Sequence, residues 1–170
     1  MQRKYGRGIY SHDTALYLLG YSDRIPAKYT MTFPKGYNAP SLKQENLIIK
    51  RVVPENYEFG QIQIKSPSGN PIRVYDLERT LCDILRGSGS DIQIVSEAMK
   101  RYADSKDKNI HKLMKYADQL RVKPKVLRYM EVLLSGKAIP FESCGKNTDA
   151  NMITLRIFPL RILVIPFRKL

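Results

Sequence analysis

The spacing of hydrophobic and polar positions changes twice along this chain of 170 residues. Near the start, residues 12–19 place apolar side chains three and four positions apart, which predicts a short helix between Ser11 and Gly20. The next part of the chain alternates with a period of two, which is typical of strands with one buried face. From Asp76 the spacing returns to three and four, which predicts four more helices up to Leu134.

The alternating segments predict a small sheet that contains a β-hairpin. Residues 29–33 and 47–53 are rich in β-branched and aromatic residues, and the second segment is so apolar that we expect both of its faces to be covered. Residues 61–65 and 72–75 flank a turn rich in Ser, Pro and Gly, which is the pattern of a hairpin. The residues expected on its inner face are Ile62, Ile64, Ile72 and Val74. The order of elements predicts an α+β fold, with a small, mostly antiparallel sheet packed by one N-terminal helix and four C-terminal helices.

Each of the later helices carries an apolar stripe that we expect to face the core. The stripes are Leu77, Leu81, Ile84 and Leu85; Ile92, Val95, Met99 and Tyr102; Ile110, Leu113, Ala117 and Leu120; and Leu127, Met130 and Leu134. Asp76 is suited to cap the first of these helices, and Ser90 with Gln93 has the spacing of a capping box for the second. Pro124 fits the first turn of the last helix.

Composition adds a strong positive charge to this picture. The 29 Lys and Arg residues exceed the 16 Asp and Glu residues, which gives a formal net charge of +13 and predicts attraction to nucleic acid or another anionic surface. The basic opening segment is not followed by an apolar stretch, and no uncharged apolar run is long enough for a membrane span. We therefore expect a cytoplasmic protein without membrane contact, in which Cys82 and Cys144 are free thiols. The cysteines and the two histidines lack metal-ligand spacing, and we expect no metal and no cofactor.

The positive charge is densest in the last two predicted helices. The candidate nucleic-acid-binding residues there are Lys112, Lys115, Arg121, Lys123, Lys125 and Arg128. Tyr116 and Tyr129 lie among them. These cations can contact phosphates but have no spacing that would read bases. An ordinary solvated helix face explains the same residues equally well, and the sequence leaves both interpretations open.

Two short segments contain the residue types of catalytic sites. Ser11, His12 and Asp13 are the side chains of a hydrolase triad, but three consecutive residues cannot converge on one substrate atom. Ser11 is instead suited to cap a helix, and Asp13 to meet the positive end of its dipole. His12 has no structural role that the sequence reveals, whereas His111 is expected to be an exposed residue of a first helical turn.

The hairpin also approaches the pattern of a metal-dependent nuclease. Such enzymes place a carboxylate two residues before a lysine, and here Gln63 precedes Lys65. A neutral amide binds Mg²⁺ far more weakly than a carboxylate does, so an ordinary hairpin with both side chains in solvent is the favoured interpretation. Residues 87–90 (GSGS) could hold an anion before a helix but have no lysine partner. We therefore assign no catalytic residue and keep a nuclease-like domain as the alternative.

Three longer blocks resemble a known family. They are residues 7–38 (RGIYSHDTALYLLGYSDRIPAKYTMTFPKGYN), residues 59–86 (FGQIQIKSPSGNPIRVYDLERTLCDILR) and residues 94–122 (IVSEAMKRYADSKDKNIHKLMKYADQLRV). They resemble the AbiEi-type antitoxins of type IV abortive-infection toxin–antitoxin systems, over a region from Arg7 to Leu134. The resemblance implies a non-catalytic antitoxin that takes part in phage defence. In that family, an N-terminal winged helix represses the operon promoter. The C-terminal domain counters a nucleotidyltransferase-like toxin, and direct contact between the two proteins is not required.

The chain departs from this family pattern at both ends. Residues 1–137 would form the antitoxin domain, but no winged-helix pattern precedes Arg7. Residues 138–170 are apolar and basic, include Pro159 and Pro166, and match no part of the family pattern. Their abrupt change in composition suggests a shifted reading frame or fused foreign sequence. We expect a truncated antitoxin without its DNA-reading domain, with an inactive gene remnant as a further alternative.

Overall fold

The computed structural model describes residues 2, 5–37, 46–66, 68–87 and 90–135. These residues belong to one compact unit, Met1–Ala138, and they contain five strands and six helices. The predicted α+β fold is confirmed. The predicted atypical tail, residues 138–170, and the thiol of Cys144 lie outside the described residues.

The elements follow one another in the order that the hydrophobic pattern predicts, with two additions. In chain order they are β1 (Ile9–Tyr10), α1 (His12–Leu18), β2 (Tyr29–Pro34), β3 (Leu47–Val52), α2 (Pro54–Tyr57), β4 (Gln61–Lys65), β5 (Pro71–Tyr75), α3 (Leu77–Arg86), α4 (Ile92–Asp104), α5 (Ile110–Gln119) and α6 (Lys123–Ser135). The additions are the two-residue strand β1 and the single turn α2, both too short to show a period. Among the helices that the structure describes, none combines the length and the hydrophobicity that a membrane span requires.

The sheet is mixed, with the strand order β3-β2-β1-β5-β4. Strand β1 is antiparallel to β2 and parallel to β5, whereas β2 and β3 are parallel and β4 and β5 form the predicted hairpin. The prediction of a mostly antiparallel sheet is therefore wrong, since half of the strand pairs are parallel. The error arises because the alternation within a strand does not indicate the direction of its neighbour, as the parallel pairs β1–β5 and β2–β3 show.

Both edge strands are less covered than their sequences suggest. Strand β3 pairs only with β2, and Ile48 is 40% exposed, so the expectation that both faces of β3 are covered is wrong. In the hairpin, Ile62 lies opposite Val74 and Ile64 opposite Ile72, as expected of one face. Val74 is fully buried, but Ile62 is 37% exposed because β4 forms the other edge. Hydrophobic residues at a sheet edge thus remain partly in contact with water.

Helix α1 lies between two hydrophobic clusters. One cluster covers the sheet and includes Ala15, Met31 and Phe33, while the other joins the helices and includes Leu16 and Leu81. Neighbouring residues of α1 therefore face different cores. The left-handed φ of +76° at Gly20 ends this helix, as the sequence predicts.

Helix α3 is the centre of the helical layer, and every residue from Glu78 to Leu85 is buried. Most predicted stripe residues of α3–α6 are buried, with two errors. Ile92 is 69% exposed because it is the first residue of α4, and Leu127 is 41% exposed because Val126 and Met130 form the core face of α6. The side chain of Leu134 lies outside the described part of the molecule.

Of the predicted helix caps, the one at Asp76 is correct. The Asp76 carboxylate accepts a hydrogen bond from the Arg79 backbone N–H at 2.9 Å, and this bond begins α3. The predicted capping box of α4 is wrong, because Asp91 accepts the bond from the Gln93 N–H at 2.8 Å. Ser90 instead donates to Asp13 at 2.8 Å and joins the start of α4 to α1.

Candidate functional site

The three residues that open α1 do not form a triad. Ser11 is fully buried, and its hydroxyl oxygen accepts a bond from Thr32 Oγ1 at 2.8 Å. The prediction that Ser11 caps the helix through its side chain is wrong, because that hydroxyl is used across the sheet. The Asp13 carboxylate accepts from Ser90 rather than from a histidine.

His12 is the first residue of α1 and adopts an unusual backbone conformation. Its φ is +53°, in the left-handed region, which costs about 1–3 kcal/mol for a non-glycine residue and is enriched at functional sites. His12 Nδ1 lies 3.1 Å from Ser11 Oγ, which already accepts from Thr32 Oγ1. The Ser11 hydroxyl can either donate to Nδ1 or accept from it, so Nδ1 is occupied by Ser11 in both tautomers of the ring. Burial lowers the pKa of His12, against an opposing effect of Asp83 and with an additional lowering by Lys50, so the imidazole is neutral at pH 7.

His12 lies in the wall of a pocket of about 350 Å³ that contains four cationic residues. These residues are Lys35, Lys50, Arg51 and Arg86. Lys50 and Arg51 belong to β3, and Lys35 directly follows β2, so the parallel pairing of the two strands brings them to the same end of the sheet. Arg86 is the last residue of α3 and also lines the pocket. We call this the cationic pocket.

Positive charge in the cationic pocket is not balanced by acidic partners. Within the described part of the chain, none of the four cationic residues forms an ion pair. The one carboxylate of the wall, Asp83, accepts a hydrogen bond from Arg79 Nε at 2.9 Å. A concave surface that is lined by charges of one sign attracts ions of the opposite sign. The cationic pocket is therefore suited to an anion.

Arg79 fixes the wall of this pocket from behind. Its side chain is fully buried, and Nη1 donates to the backbone carbonyl of Asn56, another wall residue, at 2.8 Å. The guanidinium carbon lies 4.1 Å from the centre of the Phe59 ring and 4.6 Å from that of Tyr75. Arg79 thereby joins α3, α2 and the sheet, and it holds Asp83 and Asn56 in place.

The six cationic residues predicted from the sequence do not converge on one site. Lys112 Nζ lies 3.0 Å from Asp76 Oδ2 and 3.1 Å from Glu78 Oε2, at the beginning of α3. Lys125 Nζ donates to the Leu85 carbonyl near the end of α3, at 2.9 Å. A ten-residue helix is about 15 Å long, so these two cations lie at opposite ends of it.

The remaining four predicted residues lie at the protein surface. Lys123 is exposed and lies 3.4 Å from Asp118 in a solvated ion pair. Lys115, Arg121 and Arg128 are exposed and have no ion pair among the residues that the structure describes. These three form what we call the helical cations. They are the part of the predicted set that is available to an external ligand.

Replacing Lys112 with methionine is expected to lower the free energy of unfolding by about 1–2 kcal/mol. The ammonium group satisfies two carboxylates that are only 8% and 9% exposed, and its loss leaves both charges close together. Chemical denaturation of the two proteins measures the difference. A Lys115→Met chain is the control, since Lys115 is exposed on the same helix, and equal stabilities of the two variants would contradict the assignment.

The nuclease-like pattern of the hairpin stays at the surface. Gln63 and Lys65 are both exposed on β4, as the ordinary-hairpin interpretation predicts, and His111 is exposed on α5 as expected. The described residues contain no group of three or more His, Cys, Asp or Glu side chains that could hold a metal ion. Cys82 is fully buried, and its burial raises the pKa of the thiol to about 12.

Comparison with known proteins finds no family model and no curated sequence that matches this chain. The cationic pocket was not found by sequence reasoning, because its residues come from four separate segments. Only Lys50 and Arg51 give a local signal, since they interrupt an otherwise apolar strand.

Proposed function

We propose that this chain is the antitoxin component of a type IV, AbiE-like system that acts in phage abortive infection in the cytoplasm. It would act by binding nucleic-acid phosphates rather than by catalysis. One structural observation supports the binding step: the cations of the pocket and the helical cations lack carboxylate partners among the described residues. The resemblance of residues 7–134 to AbiEi-type antitoxins supports the biological role. The functional partner would be a nucleotidyltransferase-like toxin, and a shared nucleic-acid target would make direct contact between the two proteins unnecessary.

Binding of this kind has a measurable dependence on salt. Each neutralised phosphate releases a counterion, and the logarithm of the binding constant falls by about 0.7–0.9 per phosphate for each logarithmic unit of salt. If four phosphates are contacted, the affinity for RNA or DNA falls about 50- to 150-fold between 50 and 200 mM salt. Fluorescence anisotropy with labelled oligonucleotides measures this dependence. An affinity that does not change with salt would contradict phosphate binding.

The antitoxin role is tested by co-expression with the cognate toxin. We expect this chain to restore growth to cells in which the toxin alone arrests it, whereas the same plasmid without a start codon does not. A pull-down from the rescued cells distinguishes the two ways of acting: rescue without a stable complex supports the proposed indirect mechanism. Unrelieved growth arrest, with both proteins present in soluble form, would contradict the antitoxin role.

A further inference from the structure

We infer that the cationic pocket is a binding site for a single phosphate group, carried by a nucleotide or by the end of a nucleic-acid strand. The inference rests on the proposed function only for the source of the phosphate, and it places the contact away from the helical cations that the sequence suggested. The pocket residues that would carry the binding are His12, Lys35, Lys50 and Arg86. Consecutive residues of a strand project to opposite faces, so Lys50 and Arg51 do not both direct their side chains into the pocket.

The first argument is the imbalance of charge. Four cationic residues line the pocket against one carboxylate, and that carboxylate is already paired with the buried Arg79. Lys50 is only partly exposed and has no acidic partner in the described region. A bound anion would supply the counter-charge that the protein does not place beside these cations. A phosphate monoester brings about two negative charges and three acceptor oxygens, so it matches a site with several donors.

The second argument is the geometry around His12. Its left-handed backbone places the ring beside Gly87 at the end of α3, where an added Cβ would lie 3.9 Å from Nε2. Because Nδ1 is used by Ser11, Nε2 is the nitrogen that remains for a ligand. In the tautomer that carries its proton on Nε2, the neutral ring offers an N–H donor at this position, and phosphate oxygens accept from such donors.

The third argument concerns the neighbouring helix end. Exposed carbonyls at a helix C-terminus would repel an anion. Here the Leu85 carbonyl accepts a bond from Lys125, and the Asp83 carbonyl accepts one from the Gly87 N–H at 3.1 Å. Two carbonyl groups at the C-terminal end of α3 therefore already accept hydrogen bonds from the protein, which weakens the repulsion of an anion there. Arg86 adds a full positive charge at the same helix end.

The fourth argument is size. Ligand pockets commonly have volumes of about 300–1,000 Å³, and the 350 Å³ of this one lies at the small end of that range. Such a space suits one phosphate with its attached nucleoside. It does not suit a duplex, which presents its phosphates along a broad surface.

The test compares two double variants of the full chain that have the same change in charge. Lys50→Glu with Arg86→Glu alters the cationic pocket, and Lys115→Glu with Arg121→Glu alters the helical surface. Binding is measured by calorimetry with inorganic phosphate and with adenosine 5′-monophosphate. It is also measured by anisotropy with one single-stranded oligonucleotide that carries either a 5′-phosphate or a 5′-hydroxyl. We expect the pocket variant to lose at least tenfold in affinity for each phosphate ligand, and the helical variant to lose less than threefold.

The arms of the experiment separate the possible sources of the phosphate. A preference for the 5′-phosphorylated strand over the 5′-hydroxyl strand identifies a strand end, while tight binding of the mononucleotide alone identifies a free nucleotide. Equal weakening by the two double variants, or no weakening by the pocket variant, would overturn the inference. If only the helical variant loses oligonucleotide binding, the proposed nucleic-acid binding is supported and the pocket inference is not. If phosphate binds in the pocket but the chain fails to rescue cells, the pocket inference stands and the antitoxin role does not.

A further variant guards against an effect of misfolding. Gly87→Leu keeps all charges and extends a side chain from the position next to His12 Nε2, at a residue whose φ is not left-handed. We expect this variant to unfold at a temperature near that of the unmodified chain and to lose at least tenfold in phosphate affinity. Backbone amide shifts of His12, Lys50 and Gly87 during titration with inorganic phosphate give an independent readout. Unchanged affinity in Gly87→Leu, or shifts confined to α5 and α6, would count against the pocket.

Discussion

Replacement of Arg79 by methionine is expected to lower the free energy of unfolding by about 3–5 kcal/mol, which is typical when one partner of a buried ion pair is removed. The Arg79 side chain is fully buried and that of Asp83 is only 6% exposed, at an Nε–Oδ2 distance of 2.9 Å. Without the guanidinium, the mostly buried Asp83 carboxylate loses the partner that offsets its burial. The Asn56 carbonyl also loses its donor, and the Phe59 and Tyr75 rings each lose their contact with the cation.

Urea denaturation of the two proteins measures this effect. The control is Lys123→Met, which breaks an ion pair whose side chains are 48% and 72% exposed, and it is expected to cost less than about 1 kcal/mol. The double variant Arg79→Met with Asp83→Leu is expected to recover part of the loss, because no charge then remains buried without a partner. If Arg79→Met and Lys123→Met lower stability equally, the buried pair does not have the role assigned to it.

Replacement of Gly60 by alanine is expected to cost about 2–4 kcal/mol, from a strained backbone and from overpacking together. Gly60 has a φ of +74°, and an added Cβ would lie 2.8 Å from Arg79 Cβ and 3.1 Å from Arg79 Cγ. The position of Arg79 Cβ is set by the helix backbone, so no side-chain rotation can remove that contact. Because the Gly60 carbonyl also accepts from the Asp76 N–H at 2.7 Å, a shift of this turn would disturb the start of α3.

The packing part of this effect can be isolated with a second glycine. Gly69 has a similar φ of +77° but no atom within 4 Å of an added Cβ, so Gly69→Ala is expected to cost only about 1–2 kcal/mol. Thermal and urea unfolding of the two variants give the difference. Equal losses of stability would mean that Arg79 adjusts freely to the extra methyl group, and that its position is not fixed by the turn.

The sequence predicts this fold best where a local pattern is sufficient. The stripes of α3 and α5, the Asp76 cap and the β4–β5 hairpin all depend on residues within a few positions of one another, and each is found as expected. The parallel pairs were missed because β1 contributes only two residues and shows no period, and because the alternation within β2 and β3 does not indicate the direction in which they pair. The hydrophobic pattern does not predict that α3 is buried on all sides, because the charged residues Arg79 and Asp83 indicate a polar, solvent-facing side.

For the candidate site, the sequence predicted only that the ligand is negatively charged. A net charge of +13 indicates an anionic partner, but it does not identify the cations that meet that partner. Lys112 and Lys125 lie in the densest basic region, yet both bond to groups of the protein itself. Lys35 and Arg86 are 51 positions apart in the sequence and meet only because strand β2 and helix α3 end on the same side of the molecule. No local pattern contains that information.

The position of α1 between two cores has a consequence for how the molecule folds. A helix of seven residues is too short to persist by itself in water, so α1 must gain its order from contacts on both sides. Ala15 packs in the cluster that covers the sheet, and Leu16 packs in the cluster of the helical layer. Neither cluster is complete until α1 is in place. The sheet layer and the helical layer are thus expected to fold and unfold as one cooperative unit, because α1 contributes core residues to both of them.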